Sequence, residues 1–393
     1  MKKILSFLAA LILSFSSFSQ EDTRVITTGV PFLQIAPDAR SAGLGDQGVA
    51  TSPDAFSQFW NPAKYAFMTT KQGFTASYTP YLSDLVDDIF LGSASYFNRI
   101  NERSAIGVGF RIFSLGDIEL VQDEFSDALI ERPNELAIDV SYSLRLSDRF
   151  SMGVALRYLR SDLRISAIDP TSDSANSFAV DIAGYYQSEE KFYNNFNGRW
   201  RGGFNISNIG PKIDFGDNTR EDFLPTNMRL GGGFDFIFDY DNKLSVSAEI
   251  NKLLVPTPPI RERQDTNGDG EIDNNDDIVI VDGEDDDVNF LTGIFQSFGD
   301  APDGLSEELK EITWSLAAEY LYRESFAFRA GYFNESDEKG ARQFLTLGAG
   351  FKYNVVNVDF SYLISTSQVR NPLENTIRFS LTFNLGDNFY QEF

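Results

Sequence analysis

The sequence predicts an all-β protein: a 14-stranded antiparallel transmembrane β-barrel with an N-terminal plug, or hatch, segment. Four observations predict it. From about residue 71 onward, runs of roughly 9–14 residues alternate with period 2 and are separated by turns. One face of nearly every run is rich in Phe, Tyr, Leu and Val, as a lipid-facing band requires. The other face carries charges at mid-strand, among them Asp139, Arg145, Arg157, Asp181, Glu249, Glu319, Arg329, Asp359 and Arg378. A sandwich core could not bury so many ions, whereas a solvated lumen can hold them. Finally, the connections alternate in length, short after strands 2, 4, 8, 10 and 12 and long after strands 3, 5, 7 and 9, which is the pattern of periplasmic turns and extracellular loops.

The elements follow in chain order. Residues 1–19 read as a secretory signal: Lys2 and Lys3 are a positive n-region, Ile4–Phe15 an apolar core, and Ser17 and Ser19 small residues before a cleavage site. The apolar stretch is too short for a helix crossing a hydrocarbon layer of ~30 Å. No Cys follows it, so no lipoprotein acyl chain is expected. Residues 20–70 do not alternate. Their Gly, Phe, Trp and Ala content opposes a disordered tail, and Ser52-Pro53-Asp54 resembles a helix start with Pro at the first position. A segment of this length at the mouth of such a barrel is expected to fold inside and plug it.

Strands are expected near 71–81, 88–99, 102–113, 133–146, 149–162, 176–188, 198–207, 224–238, 242–251, 311–323, 325–334, 342–353, 355–366 and 374–385. In 88–99 the run Ile89, Phe90, Leu91 interrupts the alternation. In Thr376–Leu385 the pattern is clearest: Ile377, Phe379, Leu381, Phe383 and Leu385 oppose Thr376, Arg378, Ser380, Thr382 and Asn384. Residues 71–393 therefore form the barrel. The even strand count with short turns after even strands places both termini on the periplasmic side of a Gram-negative outer membrane.

One connection, residues 252–310, is a long extracellular loop. It contains Asp265, Asn267, Asp269, Gly270, Glu271, Ile272, Asp273 and Asp276, which fit a calcium loop with Asp in the last ligand position. Asp265, Asn267 and Asp269 would supply side-chain oxygens, Glu271 its carbonyl, and Asp273 and Asp276 would complete the shell. Calcium is thus the one cofactor the residues suggest, in a structural role; a solvated acidic loop explains the same residues. Downstream, Phe290, Ile294, Phe295 and Phe298 fall at helical spacing. They suit either packing over the barrel rim or a contact patch for a partner.

Composition narrows function. The chain has 393 residues, no His, no Cys and a net charge of −25. Nucleic acid is an unsuitable partner for so acidic a protein. Ser–His–Asp and Cys–His catalysis, Cys-ligated zinc and iron–sulfur clusters are excluded. With no convergent nucleophile in the remaining residues, no enzymatic activity is expected. Much of the charge is local: Asp265 to Asp287 hold 11 acidic residues and no Lys or Arg.

Asn61-Pro62-Ala63, just before the first strand, resembles the hatch motif of the FadL family, 14-stranded outer-membrane barrels that transport long-chain fatty acids. The fuller string, Pro37-Asp-Ala-Arg-Ser-Ala-Gly-Leu-Gly45 with Val49-Ala-Thr-Ser-Pro-Asp-Ala55 and Trp60-Asn-Pro-Ala-Lys64, looks like the PorV (LptO) branch, which belongs to the type IX secretion system. The resemblance covers the mature chain in length and strand count, and the N-terminal string carries most of its specificity. It implies a barrel that partners the large outer-membrane translocon, receives secreted cargo by its C-terminal domain and passes it to the surface attachment complex. A lipopolysaccharide deacylase role has also been attached to the family, but no residue spacing here singles out its catalytic groups. The alternative is a FadL-like transporter of long-chain fatty acids or other hydrophobic small molecules. It requires a continuous apolar path through the lumen, which the charged inward faces oppose.

Overall fold

The computed structural model describes residues 24–83, 85–120, 128–164, 174–216, 221–266, 272–274 and 276–386. The region read as a signal sequence lies outside them. Fourteen long strands follow one another around a closed antiparallel barrel. They are β1 (Gln72–Pro80), β2 (Ile89–Arg99), β3 (Ser104–Leu115), β4 (Asn134–Ser147), β5 (Phe150–Asp162), β6 (Ala175–Gln187) and β7 (Phe196–Ile209). The second half comprises β8 (Asn227–Ile237), β9 (Asn242–Leu253), β10 (Ile312–Tyr322), β11 (Phe326–Asn334), β12 (Gln343–Tyr353), β13 (Val356–Ser365) and β14 (Ile377–Leu385). Closure is made by β14 on β1, with Gln72 opposite Leu385 and Tyr78 opposite Phe379. No helix among the described residues is long and apolar enough to cross a membrane.

Alternation decides the faces, as it must for a two-sided sheet. Outward residues such as Phe74, Val140, Leu156, Phe178, Trp200, Phe328 and Leu347 are exposed. Inward residues such as Asp139, Arg157, Asp181, Glu249 and Arg378 are buried. That burial corrects one expectation. The mid-strand charges do not face a solvated lumen; they pair with each other and with a plug that fills it. Arg157 bonds Asp181 at 3.1 and 2.8 Å and also reaches Asp139. Arg329 bonds Glu319 at 2.6 Å and Asp359 at 2.7 Å.

The irregular run in β2 has a local cause. Leu91 points inward and is buried against Val30, Phe32 and Leu33 of the N-terminal segment, with Phe113, Leu159, Ile213 and Leu224. Near the long loops the lumen wall is apolar, because there it meets an apolar stretch of plug. The strand expected from 224 starts at Asn227, after Pro225, which has no N–H for a ladder.

The plug runs the full height of the barrel. At the short-turn mouth Arg99 N–H donates to Lys71 O at 2.8 Å, and Lys71 N–H to Gly386 O at 3.3 Å. At the other mouth Gly29 N–H donates to Phe223 O at 2.9 Å. There Arg24 bonds Glu307 at 2.9 and 2.8 Å and reaches Asp303, both in the connection between β9 and β10. The expectation that both ends of the chain share one mouth therefore fails for the start of the described chain. Strand parity fixes where β1 begins and β14 ends; it cannot see fifty residues threaded back through the lumen.

Outside the barrel wall the long connections carry small elements of their own. Ile118–Leu120 pairs with Leu129–Glu131, and Ile260–Arg263 with Ile278–Asp282. Two short helices, Phe290–Gln296 and Leu305–Lys310, complete the connection between β9 and β10.

Candidate functional site

The plug starts with a 3₁₀ turn, Pro31–Gln34, and a one-turn helix, α1 (Ala39–Ala42). A second helical turn, α2 (Ser57–Trp60), leads into a 3₁₀ helix, Pro62–Phe67. Asp38 caps α1 by accepting from Ser41 N–H at 2.8 Å, and its other oxygen accepts from Trp60 Nε1 at 2.7 Å. One buried carboxylate thus joins both halves of the plug.

The motif Asn61-Pro62-Ala63 is the clasp to the wall. Asn61 Oδ1 accepts from Ala63 N–H at 3.1 Å, capping the 3₁₀ helix, with Pro62 at its first position. Asn61 Nδ2 donates to Val49 O at 2.9 Å and to Gly184 O of β6 at 3.0 Å. Ala63 is fully buried, and a Cβ on Gly153 of β5 would stand 2.7 Å from its nitrogen, so only glycine lets the two backbones meet. Gly203 of β7 is held likewise, 2.2 Å from Val49 O by the same construction.

Wall carboxylates grip the plug elsewhere. Glu249 Oε2 accepts from Gly48 and Val49 N–H, both at 2.9 Å. Arg40 bonds Glu319 at 3.1 and 2.9 Å and also reaches Asp54. Arg378 bonds Asp46 at 3.1 Å. Among the described residues one cavity of about 420 Å³ lies at the short-turn mouth and another of about 380 Å³ at the long-loop mouth, and they share no lining residue. The first is lined by Arg40, Asp54, Glu190, Glu319, Arg329 and Lys352. The second has aromatic walls: Phe333 stacks on Phe344 at 4.9 Å, and Tyr81 meets Phe113 edge-on at 5.3 Å.

Above the second cavity an ionic knot ties the long connection to the plug and to the turn after β11. Lys252 bonds Glu308 at 2.9 Å and Glu311 at 2.6 Å, and Lys339 bonds Glu307 at 2.6 Å and Glu311 at 3.0 Å. Burial raises the Glu307 carboxyl, but hydrogen bonds from Arg24 and Lys339 outweigh it and hold it down at about 2. Burial pushes Asp300 up to about 6 against the Thr257 N–H that it accepts. This knot was not read from the sequence, although Lys252 and Glu311 flank the loop.

Of the six candidate calcium ligands, Asn267, Asp269 and Glu271 lie outside the described residues. Asp265 and Asp273 are exposed at the tip of a β-hairpin rather than between two helices, because the β-branched run Ile278–Val281 favours strand. Asp276 is buried and accepts from Asp273 N–H at 2.8 Å and Thr266 N–H at 3.2 Å. Among the described residues no three carboxylates are grouped to hold a metal ion. The aromatic positions divide. Phe295 and Phe298 are exposed and Phe290 and Ile294 half-buried, with Gly293 seated against Phe223 and Pro256.

The family model described as type IX secretion system protein PorV matches residues 18–260. No curated protein matches the sequence. Among solved structures, the CymD monoaromatic hydrocarbon channel is similar at 14% identity and a TM-score of 0.50, covering 90% of this chain and 99% of that one. The Pseudomonas putida toluene transporter TodX follows at 12% and 0.49, covering 90% and 98%. A Pseudomonas aeruginosa FadL homologue has 11% and 0.42, covering 92% and 99%. These likenesses are of fold. The family match spans well over half of the sequence and includes the whole plug: the chain belongs to the PorV family of type IX secretion system proteins and is an outer-membrane β-barrel.

Proposed function

We propose that this protein is the barrel that partners the large type IX translocon in the outer membrane, receives cargo by its C-terminal domain and passes it to the surface attachment complex. The observation that carries the reading is the fastening of the plug. Asn61 and Glu249 hold it to the wall through buried hydrogen bonds, and Arg40 and Arg378 through partly buried ion pairs. Breaking a buried ion pair leaves an uncompensated charge at a cost of ~3–5 kcal/mol, so the lumen is a filled core rather than a conduit. What remains for partners is the outer face and the long connections. Outer-membrane barrels carry long loops outside the cell and short turns in the periplasm; so oriented, the connection between β9 and β10 and the start of the plug face the cell surface.

The competing reading, passage of a hydrophobic small molecule, draws on the aromatic walls of the outer cavity. It needs an apolar route onward, and the inner cavity is lined by ionised groups. Deletion of the gene separates the two. Cargo retained inside the cell or released unattached, with normal uptake of long-chain fatty acids, supports the secretion role. Normal secretion with impaired uptake overturns it.

A further inference from the structure

Among the described residues the long-loop cavity contains one cation with no carboxylate at ion-pair distance, although Glu249 and Asp46 act on it from further away. Of the other cations lining the cavity, Lys339 and Arg342 each have a carboxylate within 4 Å. Arg229, on β8, has none among the described residues. Its guanidinium lies over the Trp60 ring at 4.7 Å, its Nε is buried without an acceptor, and the side chain lines the cavity. A cation–π contact offsets part of the cost of desolvation, but a guanidinium with five donors is built for a planar anion.

A second unsatisfied group stands beside it. Asn251 of β9 is the register partner of Arg229, and its Oδ1 is buried with no donor. Thr313 of β10 is next in the same row. The cavity therefore presents, on adjacent strands, an unpaired donor fork and an unpaired acceptor. The same cavity is lined by Phe32, Tyr81, Phe113, Phe333 and Phe344. A fatty acid would fill the fork and leave the acceptor empty, because a hydrocarbon chain has no donor. The last residue of a polypeptide fills both, since its carboxylate and its own N–H are one residue apart and its side chain is free to turn to the aromatic wall.

We infer that this cavity captures the C-terminal residue of a partner polypeptide, with the α-carboxylate on Arg229 and the terminal amide N–H on Asn251. The inference rests on the cargo-receiving role proposed above and names the part of the cargo domain that is read. About 380 Å³ lies at the small end of ligand-site volumes, so it takes the chain end while the folded domain stays outside among the loops.

The test is equilibrium binding of a purified cargo C-terminal domain to the detergent-solubilised full chain. The domain is prepared with a free C-terminal carboxylate and, by peptide ligation, with a terminal amide. Amidation requires no change in the barrel, so it cannot unfold it. The inference expects amidation to weaken binding about tenfold or more, the scale of a lost charge-assisted pair. Arg229→Gln weakens the free-acid domain to the same extent and leaves the amidated domain unaffected. Equal binding of acid and amide overturns the inference while leaving the cargo-receiving role intact. No binding of the free-acid domain to the unaltered protein overturns that role itself. Displacement of a bound fatty acid by Arg229→Gln, with acid and amide domains bound alike, overturns it in favour of a lipid site.

Discussion

Single residues carry the plug. Asn61 makes three hydrogen bonds that no other residue type can make together: it caps a helix with its oxygen and joins two backbone carbonyls with its nitrogen. Asn61→Ala removes the side-chain donor shared by the Val49 and Gly184 carbonyls in a buried site. Destabilisation of about 2–4 kcal/mol is expected from a lost cap plus the lost donor. It is read as a lower temperature of heat-induced mobility change on gels and as earlier proteolysis of the plug. At this scale the sequence was legible in part. Asn61-Pro62-Ala63 and the mid-strand charges could be picked out by position, because a polar residue in an apolar frame is conspicuous. Their partners could not. That Glu249 serves two plug amides, or that Arg229 serves none, depends on how the plug is threaded, which no alternation pattern encodes.

Elements were legible wherever alternation is strict. All fourteen expected strands form, including β2, whose interrupted pattern reflects an apolar plug surface rather than a poor strand. The threading was illegible, and it leads to a direct expectation. The chain has no native Cys, so Val25→Cys, half-exposed at the long-loop mouth, is a clean label site. It should react with a membrane-impermeant maleimide on intact cells, while Asp239→Cys in a short turn should not. The reverse pattern would invert the orientation. The loop knot has its own pH response. Glu307 is held at about 2, below its ordinary 4.5, so its contribution is complete above about 4.5 and is lost as pH falls towards 2. Asp300 has the opposite sign: raised to about 6 from 3.8, it contributes fully below about 3.8 and loses that contribution as pH rises through 6. Limited proteolysis of the connection between β9 and β10 across pH 2–7 should show least cleavage between about pH 3.8 and 4.5, with cleavage rising on either side. The calcium proposal belongs to the same connection. Calorimetric titration should give heat with the unaltered protein and none with Asp265→Ala/Asp269→Ala, at a dissociation constant of about 10⁻⁴–10⁻³ M; equal heats would refute it.

At the scale of the whole molecule the chain is a barrel with its interior spent on holding a plug. The net charge of −25 is consistent with that division: the acidic run from Asp265 to Asp287 belongs to one connection, while lumen carboxylates such as Asp181 and Glu319 are matched by Arg. Such a molecule works through its surfaces, so its function is visible only in company. The most direct measurement is recovery of the tagged protein in mild detergent from its native membrane, with the co-purifying chains identified by mass. The account predicts a complex containing a much larger outer-membrane barrel in stoichiometric amount. Recovery of the protein alone, from cells that secrete normally, would contradict it.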